Sequence, residues 1–394
     1  MSFRLGSMRK GEMLIDVTRL LFRFMKGRLP TGVDRVCLSY IRKYRACSRV
    51  VVFKGGFGGV FGRDASQRMF QLLLEPRGDF FRKASRIMAS SPPLSLSEDR
   101  YSGRILFNVG HSGLDSAAYA EWLVRKRVRP VFMVHDLTPM THPEFCRCGE
   151  SLRHAARLRT VLTTAAGVVT NSKTTMEALS KFACESGWTM PPAIAAPLGL
   201  ESLRPNGHSC ELTGPYFVML GTIEPRKNHW MALQVWRRIV ERYGSAAPKL
   251  VVIGQRGWEC ENVLDLLERC TQLRGMVIEL PHCSDDELAC YLSGARALIF
   301  PSFDEGYGLP LIEALSLGVP VIAGDLPAFH EVAGNIPDYF DPLDGTGWMS
   351  CIEDYCLPDS SRRAAQLQRL AGFTPPTWKG HFELVDKFLE QIRN

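Results

Sequence analysis

The sequence predicts an α/β protein built from two sequential doubly wound domains, and three features carry that expectation. The chain has 394 residues, too long for one ordinary domain and natural for two of about 200. Short apolar runs alternate with helix-periodic stretches along its whole length, the pattern of parallel strands covered by helices. The periodicity breaks near the middle, at Ala196–Pro215, where PLGLESLRPNGHSCELTGP brings Gly and Pro together. The domains are therefore placed at 1–205 and 206–374, and 375–394 is a last amphipathic helix beyond the break Phe373-Thr374-Pro375-Pro376.

In the first half the apolar runs predict strands at Leu14–Val17, Val50–Phe53, Ile105–Asn108, Val131–Val134 and Gly167–Thr170. Thr31-Gly32-Val33-Asp34 reads as a capping box opening a helix with Val33, Val36, Cys37 and Ile41 on one side. Gly55-Gly56-Phe57-Gly58-Gly59 does not fit GxGxxG and reads as a flexible turn. In the second half strands are predicted at Tyr216–Leu220, Leu250–Ile253, Met276–Leu280, Ala297–Phe300 and Val319–Ala323. Ser284-Asp285-Asp286-Glu287 is a second capping box. In doubly wound sheets ligands bind beyond the carboxyl ends of the strands, so the residues that follow these strands are the candidates for function.

The richest of them is PSFDEGYGLPLIEALSLGVPVIAG, Pro301–Gly324. A strand enters a Gly-rich turn, and a helix is expected from Pro310, proline suiting the first helical position. Such a turn leaves free N–H groups and a positive dipole end, which suits a diphosphate, and Gly306 and Gly308 allow a close backbone approach. Glu305 precedes the helix and Glu313 is expected in its first turn, so one carboxylate can face the group beyond the phosphate while the other accepts from a sugar hydroxyl pair. Taken alone, the stretch equally describes a helix end with a dipole-favoured acid. A second turn of the same type follows Tyr216–Leu220: in Gly221-Thr222-Ile223-Glu224-Pro225-Arg226-Lys227-Asn228, Arg226 and Lys227 are placed to meet a diphosphate. His135 stands at the end of Val131–Val134, facing the expected cleft, and His111 is a weaker case of the same kind. GxxxxGK[ST], GxSxG, HExxH and an Asp-x-Asp metal pair are all absent from the sequence.

The bulk composition narrows the classes. Hydrophobic residues make up 45% and charged residues 23%, ordinary for globular domains. No run approaches a membrane span, and the N-terminus lacks a signal peptide's apolar core. Twelve scattered cysteines without a CxxC fit a reduced, cytoplasmic protein, and Cys146 and Cys148 with His142 and His154 match no common zinc spacing. The net charge of +7 hides an asymmetry: residues 1–200 hold 31 Lys+Arg against 15 Asp+Glu, and residues 201–394 hold 17 against 26. A basic half beside an acidic half points to a polyanionic surface. No nucleic-acid motif accompanies it, so the expected partner is an anionic membrane.

Glu305 through Glu313 with the following ALSLGVPVI resembles the E-x7-E signature of retaining glycosyltransferases of family 4. Gly221–Asn228 is similar to the phosphate loop of the family's bacterial mannosyltransferase-like branch, and Gly254–Glu259, Pro327–Gly334, Ile15–Leu20, Thr31–Val36 and Val134–Pro139 are further likenesses. The resemblance implies a GT-B fold, two Rossmann-like domains facing across a cleft, with the last helix returning to the first domain. The second domain would hold a nucleotide-sugar and the first a lipid-linked glycan acceptor of surface-polysaccharide biosynthesis. Arg226 and Lys227 would bind the diphosphate, Glu313 the ribose and Glu305 the donor sugar. Backbone at Gly306, Tyr307, Gly308 and Leu309 would face phosphate or sugar. His135 would reach the donor sugar and the acceptor, and Gly32 would let the first domain close over the phosphates. His135, Glu305 and Lys227 are the expected catalytic groups, with no metal or other cofactor. The branch implies mannose from GDP-mannose, on the inner face of the cytoplasmic membrane and without nucleic acid. The family's usual Gly-Arg is Gly221-Thr222 here, which leaves Arg226 to supply the guanidinium. A nucleotide-sugar 2-epimerase of the same fold and a non-catalytic nucleotide-sugar-binding subunit are the alternatives.

Overall fold

Two separate sheets organise the computed structural model, which describes residues 13–76, 78–90, 101–201 and 212–393. The first sheet contains β1 (Met13–Asp16), β2 (Ser48–Lys54), β3 (Phe57–Val60), β4 (Ile105–Asn108), β5 (Arg129–Val134), β6 (Gly167–Thr170) and β7 (Ala193–Ala195), in the order β3-β2-β1-β4-β5-β6-β7. All pairs are parallel except β2–β3. The second contains β8 (Tyr216–Leu220), β9 (Lys249–Ile253), β10 (Val277–Leu280), β11 (Leu298–Phe300), β12 (Val321–Gly324) and β13 (Asp338–Phe340), in the order β10-β9-β8-β11-β12-β13. Both reverse direction of winding beside their first strand, between β1 and β4 and between β8 and β11. That reversal splays the loops on either side and leaves a crevice at the strands' carboxyl ends.

The strands are apolar on both faces because helices cover both sides: β1, β4 and β12 are buried throughout. In the second domain the helix His229–Tyr243 packs Trp236 edge-on against Phe217, and the indole donates to the Pro248 carbonyl at 3.0 Å. Both capping boxes form, Thr31 with Asp34 and Ser284 with Glu287. The last helix, Trp378–Arg393, lies on the first domain: Tyr44 donates to Asp386 at 2.7 Å, and Phe388 packs where a Cβ at Gly167 would lie 2.8 Å from its ring. Where the chain passes between domains a Cβ at Gly199 would fall 2.0 Å from the Trp378 nitrogen, so the two crossings are in contact.

Three readings are corrected. Gly55–Gly59 is not simply a turn: Gly55 and Gly56 turn with positive φ, and Phe57–Val60 then pairs antiparallel with β2 as an edge strand. Glycine is needed inside that strand, because a Cβ at Gly58 would come within 2.9 Å of Phe53 and the Trp122 ring. The short strands β7 and β13 escaped a reading based on apolar runs, since both are only half-buried edges. Finally, the helix after the Gly-rich turn begins at Leu309, making Pro310 its second residue and moving Glu313 into the second turn. Glu313 is therefore held by what it faces and not by the helix dipole. The boundary read at 205/206 lies outside the described residues.

Candidate active site

The ends of β8 and β11 flank the crevice of the second sheet, and they bring Gly221–Asn228 and Pro301–Leu309 together. After β8 the chain makes a 3-10 turn, Pro225–Lys227, and Asn228 takes a left-handed conformation before the helix at His229. This turn points Arg226 and Lys227 at Glu305, 78 residues on. Arg226 Nη1 meets Glu305 Oε2 at 2.6 Å and donates to the Asp304 carbonyl at 2.7 Å, while Nη2 meets Glu224 Oε1 at 2.8 Å. Lys227 Nζ pairs with Glu305 Oε1 and sits 4.8 Å over the Phe300 ring. Ser302 Oγ donates to the same Oε1 at 3.0 Å. Burial pulls the Glu305 carboxyl up, but Arg226 and Lys227 outweigh it and hold it at about 2. Burial lowers Lys227 against the pull of Glu305. Arg226 is raised because Glu305 and Glu224 overcome its burial.

The backbone of the turn itself is tightly packed. Gly308 has φ +101, and a Cβ there would meet the Phe329 ring at 2.8 Å. Gly306 is pressed against the other domain: a Cβ would fall 1.9 Å from the His135 carbonyl oxygen and 3.0 Å from Asp136 Cβ. Its own carbonyl accepts from Ser172 Oγ at 2.8 Å and Thr175 Oγ1 at 3.2 Å. Tyr307 donates to the Leu198 carbonyl at 2.8 Å, and Leu309 approaches Gly32, whose Cβ would lie 3.5 Å from Leu309 Cδ1. Thr138 donates to Asp304 at 2.7 Å, Phe145 stacks on Phe303 at 4.6 Å, and Glu331 accepts from the Lys173 and Thr174 nitrogens at 2.7 and 3.1 Å. The cleft is closed, with the Gly-rich turn as its hinge of contact.

His135 follows β5 on the first-domain side and is 6% exposed. Its Nε2 lies 2.8 Å from the Val109 carbonyl, which can only accept, so Nε2 carries the proton and Nδ1 is the acceptor. Burial lowers its pKa, favouring the neutral ring. Asp136, next along, has no side-chain partner among the described residues, although its charge is felt by Arg226, His135 and His154. Glu313 is 5% exposed and meets Arg35 Nη1 at 3.0 Å across the cleft. Burial raises its carboxyl, opposed by Arg35. Among the described residues no group of three His, Cys, Asp or Glu could hold a metal ion.

The residues singled out in the sequence thus fall into two nearby groups. Arg226, Lys227, Glu305 and His135 surround the Gly306 turn, while Gly32, Leu309 and Glu313 line the adjoining flank. Several neighbours went unread: Glu224 and Asp304 inside the two loops, Asp136 beside His135, Ser172 and Thr175 after β6, and Arg35. Their signal was position, since each follows a strand end or begins a capped helix beside a residue already chosen.

Residues 206–336 match the family model for glycosyl transferases group 1. O-antigen chain mannosyltransferase B of Escherichia coli is 34% identical over 164 residues, 42% of this chain and 42% of that protein. The serotype-specific mannosyltransferase WbdA of Escherichia coli is 28% identical over 280 residues, 66% of this chain and 33% of its own. The chain matches less than half the length of these curated relatives. Among solved structures, Anabaena HepE in complex with UDP-glucose aligns with a TM-score of 0.67 at 13% identity, covering 96% of this chain and 99% of that one. Sucrose-phosphate synthase from Thermosynechococcus elongatus aligns at 0.63 with 14% identity, covering 98% and 99%. Residues 206–336 carry a glycosyl transferases group 1 domain, and the chain has the GT-B fold, its two doubly wound domains meeting at the Gly306 turn.

Proposed function

We propose that this chain is a retaining, metal-independent hexosyltransferase that moves mannose from GDP-mannose to a lipid-linked glycan in cell-surface polysaccharide assembly, whether O-antigen, capsule or exopolysaccharide. The observation that carries this reading is the Glu305 clamp: two buried cations fixed on one carboxylate beside an anion-facing turn, in a closed cleft. The mannosyltransferase names of the relatives support the sugar, and the UDP-glucose complex of a fold neighbour supports the nucleotide-sugar class.

The chemistry follows from the charges. When the anomeric C–O bond breaks, its electron pair leaves with the nucleoside diphosphate and the sugar becomes oxocarbenium-like. Lys227, Arg226 and the N–H groups at the start of the helix Leu309–Ser316 meet the growing negative charge on the phosphate; losing one such donor costs about 3–4 kcal/mol of barrier. Glu305 keeps both cations in place and offers its carboxylate to donor-sugar hydroxyls. Neutral His135 presents Nδ1 as an acceptor to a sugar hydroxyl, and Glu313 accepts from the ribose diol. Closure at Gly306 excludes water, so an acceptor hydroxyl attacks in its place on the face the phosphate leaves and gives its proton to the departing phosphate oxygen. No side chain is assigned as a covalent nucleophile.

The acceptor would be met at a membrane. No helix among the described residues is long and apolar enough to cross one, and the basic first half favours peripheral docking on an anionic inner leaflet. The test is incubation with GDP-mannose and with UDP-sugars, with and without lipid-linked acceptor, in EDTA. The expected product is a mannosylated lipid whose anomeric configuration, read by NMR, matches the donor's. Conversion of the donor without acceptor would make the protein an epimerase, and binding without turnover would make it a nucleotide-sugar-binding subunit.

A further inference from the structure

The segments that follow β1 and β2 carry an aromatic and basic strip that the candidate site does not use. Only Gly55 and Gly56 join β2 to β3, both with positive φ, the two-residue turn whose twist matches a hairpin. A Cβ at either glycine would meet nothing within 4 Å, so the tip stands clear of the molecule. Beside it Phe57 is 85% exposed and pairs in register with Lys54, whose Nζ lies 3.8 Å over the Phe22 ring. Phe22 is in the helix Thr18–Met25, and Lys26 follows four positions on, on the same side. The exposed loop beyond holds Arg28 and Leu29, and it is tied back to that helix where Arg23 Nε donates to the Leu29 carbonyl at 2.6 Å. Asp34 is taken by Arg19 and Arg23, and among the described residues no carboxylate pairs with Lys26, Arg28 or Lys54.

β1, β2, β4 and β5 run parallel. The strip, which follows β1 and β2, therefore lies at the same carboxyl edge of the sheet as His111 and His135, which follow β4 and β5. A surface that meets the strip would lie alongside the first-domain side of the cleft. Rings and cations alternate along it in place of a continuous apolar patch, and that mixture suits the interface of a bilayer. Rings enter below the headgroups while the ends of long basic side chains extend to the lipid phosphates. The first 200 residues, with 31 Lys+Arg against 15 Asp+Glu, add attraction toward an anionic surface.

We propose that Phe57, Phe22 and Leu29 enter the interface of an anionic bilayer, with Lys26, Arg28 and Lys54 on its headgroups, so that the mouth of the cleft faces the membrane. This rests on the proposed lipid-linked acceptor and names the surface that brings the protein to it. A glycan head reaches the cleft from that side while its lipid stays in the leaflet. The competing account makes Phe57 an isolated exposed side chain of the ordinary kind and the cations a solvated rim. A solvated rim gives no membrane binding that depends on Phe57.

The experiment is cosedimentation of the full chain with vesicles of phosphatidylcholine alone and of phosphatidylcholine with phosphatidylglycerol, at low and high salt. Wild type is compared with Phe57→Ser, with the pair Lys26→Gln and Lys54→Gln, and with the pair Arg125→Gln and Lys181→Gln. Arg125 and Lys181, in the helices Ala117–Arg125 and Lys173–Glu185, make a charge-matched control off the strip. Each protein is first checked for native circular dichroism and, by calorimetry, for GDP and UDP binding. Wild type is expected to bind the anionic vesicles alone and to leave them at high salt. Phe57→Ser is expected to weaken that binding about tenfold, the scale of one buried aromatic side chain. The Lys26 and Lys54 pair should weaken it about tenfold or more, and the control pair by about threefold or less. Binding indifferent to Phe57, or lowered equally by the control pair, overturns the strip. A single-stranded oligonucleotide bound in preference to the vesicles, and lost in Phe57→Ser, overturns the membrane in favour of nucleic acid. Nucleotide binding without vesicle binding overturns the docking surface and leaves the glycosyltransferase reading. Vesicle binding without nucleotide binding overturns that reading and leaves the surface.

Discussion

Glu305 and Glu313 stand eight residues apart on one turn-and-helix unit, both nearly buried, yet their surroundings are opposite. Glu305 is gripped inside its own domain by Arg226, Lys227 and Ser302 and is held ionised, at about 2. Among the described residues Glu313 has one cation, Arg35, and it comes from the other domain; burial raises its carboxyl. The contrast separates two jobs. A carboxylate locked by its own domain is a fixed part of the machinery, present whether the cleft is open or shut. A carboxylate whose partner crosses the cleft is satisfied only on closure or by a ligand, so it couples binding to domain position.

Breaking the fixed pair should do the most damage. Glu305→Ala and Lys227→Ala are each expected to cut turnover with the assigned donor at least tenfold, and near-normal turnover of either variant would remove it from the chemistry. Glu305→Ala also leaves Arg226 and Lys227 buried without their carboxylate, at a cost of about 3–5 kcal/mol, so its melting temperature should fall well below that of Lys227→Ala. Next comes the contact between the domains. A methyl group at Gly306 would overlap the His135 carbonyl, at 1.9 Å. Gly306→Ala should therefore hold the cleft ajar, raising the radius of gyration measured by small-angle scattering with nucleotide bound and lowering turnover. An unchanged radius together with unchanged turnover would show that closure does not run through this contact.

The pH dependence of stability should differ in sign at the two carboxylates. Glu305 has its pKa lowered from 4.5 to about 2, so its contribution is full above pH 4.5 and is lost as pH falls through about 2. Glu313 has its pKa raised; stability is greatest while it is protonated and declines as pH rises from 4.5 through its folded value. Melting scans from pH 2 to 7 on Glu305→Gln and Glu313→Gln should remove slopes of opposite sign, and equal slopes would refute the contrast. The smallest expected effect is at Glu331, which caps the helix Lys173–Glu185 from across the cleft. Glu331→Gln should cost about 1 kcal/mol or less, on the scale of an ordinary cap, with turnover close to wild type.

Much of this was legible in the sequence because the signals are local. Tyr216–Leu220, Ile105–Asn108 and Gly167–Thr170 match β8, β4 and β6 to the residue, since a buried parallel strand is a short apolar run whatever its neighbours. The capping boxes at Thr31 and Ser284 form because their partners are three residues away. The edge strands β3, β7 and β13 were hidden, as half-buried edges carry no apolar run. Asp136 and Glu224 were passed over beside residues that were chosen, because which carboxylate a cation takes is a matter of distance in space.

The amino-acid sequence by itself determined the two doubly wound halves, the Gly-rich turn and the presence of Glu305, Glu313, Arg226 and Lys227 at strand ends. Hydrophobic period, turn chemistry and helix signals act within a few residues, so one sequence displays them. Only the tertiary structure decided that Arg226 and Lys227 converge on Glu305, and that Arg35 crosses to Glu313 from 278 residues away. It also decided that Gly306 lies against His135. Those pairings depend on how two sheets wind and how two domains close, and no local pattern in the chain encodes the approach of groups so far apart.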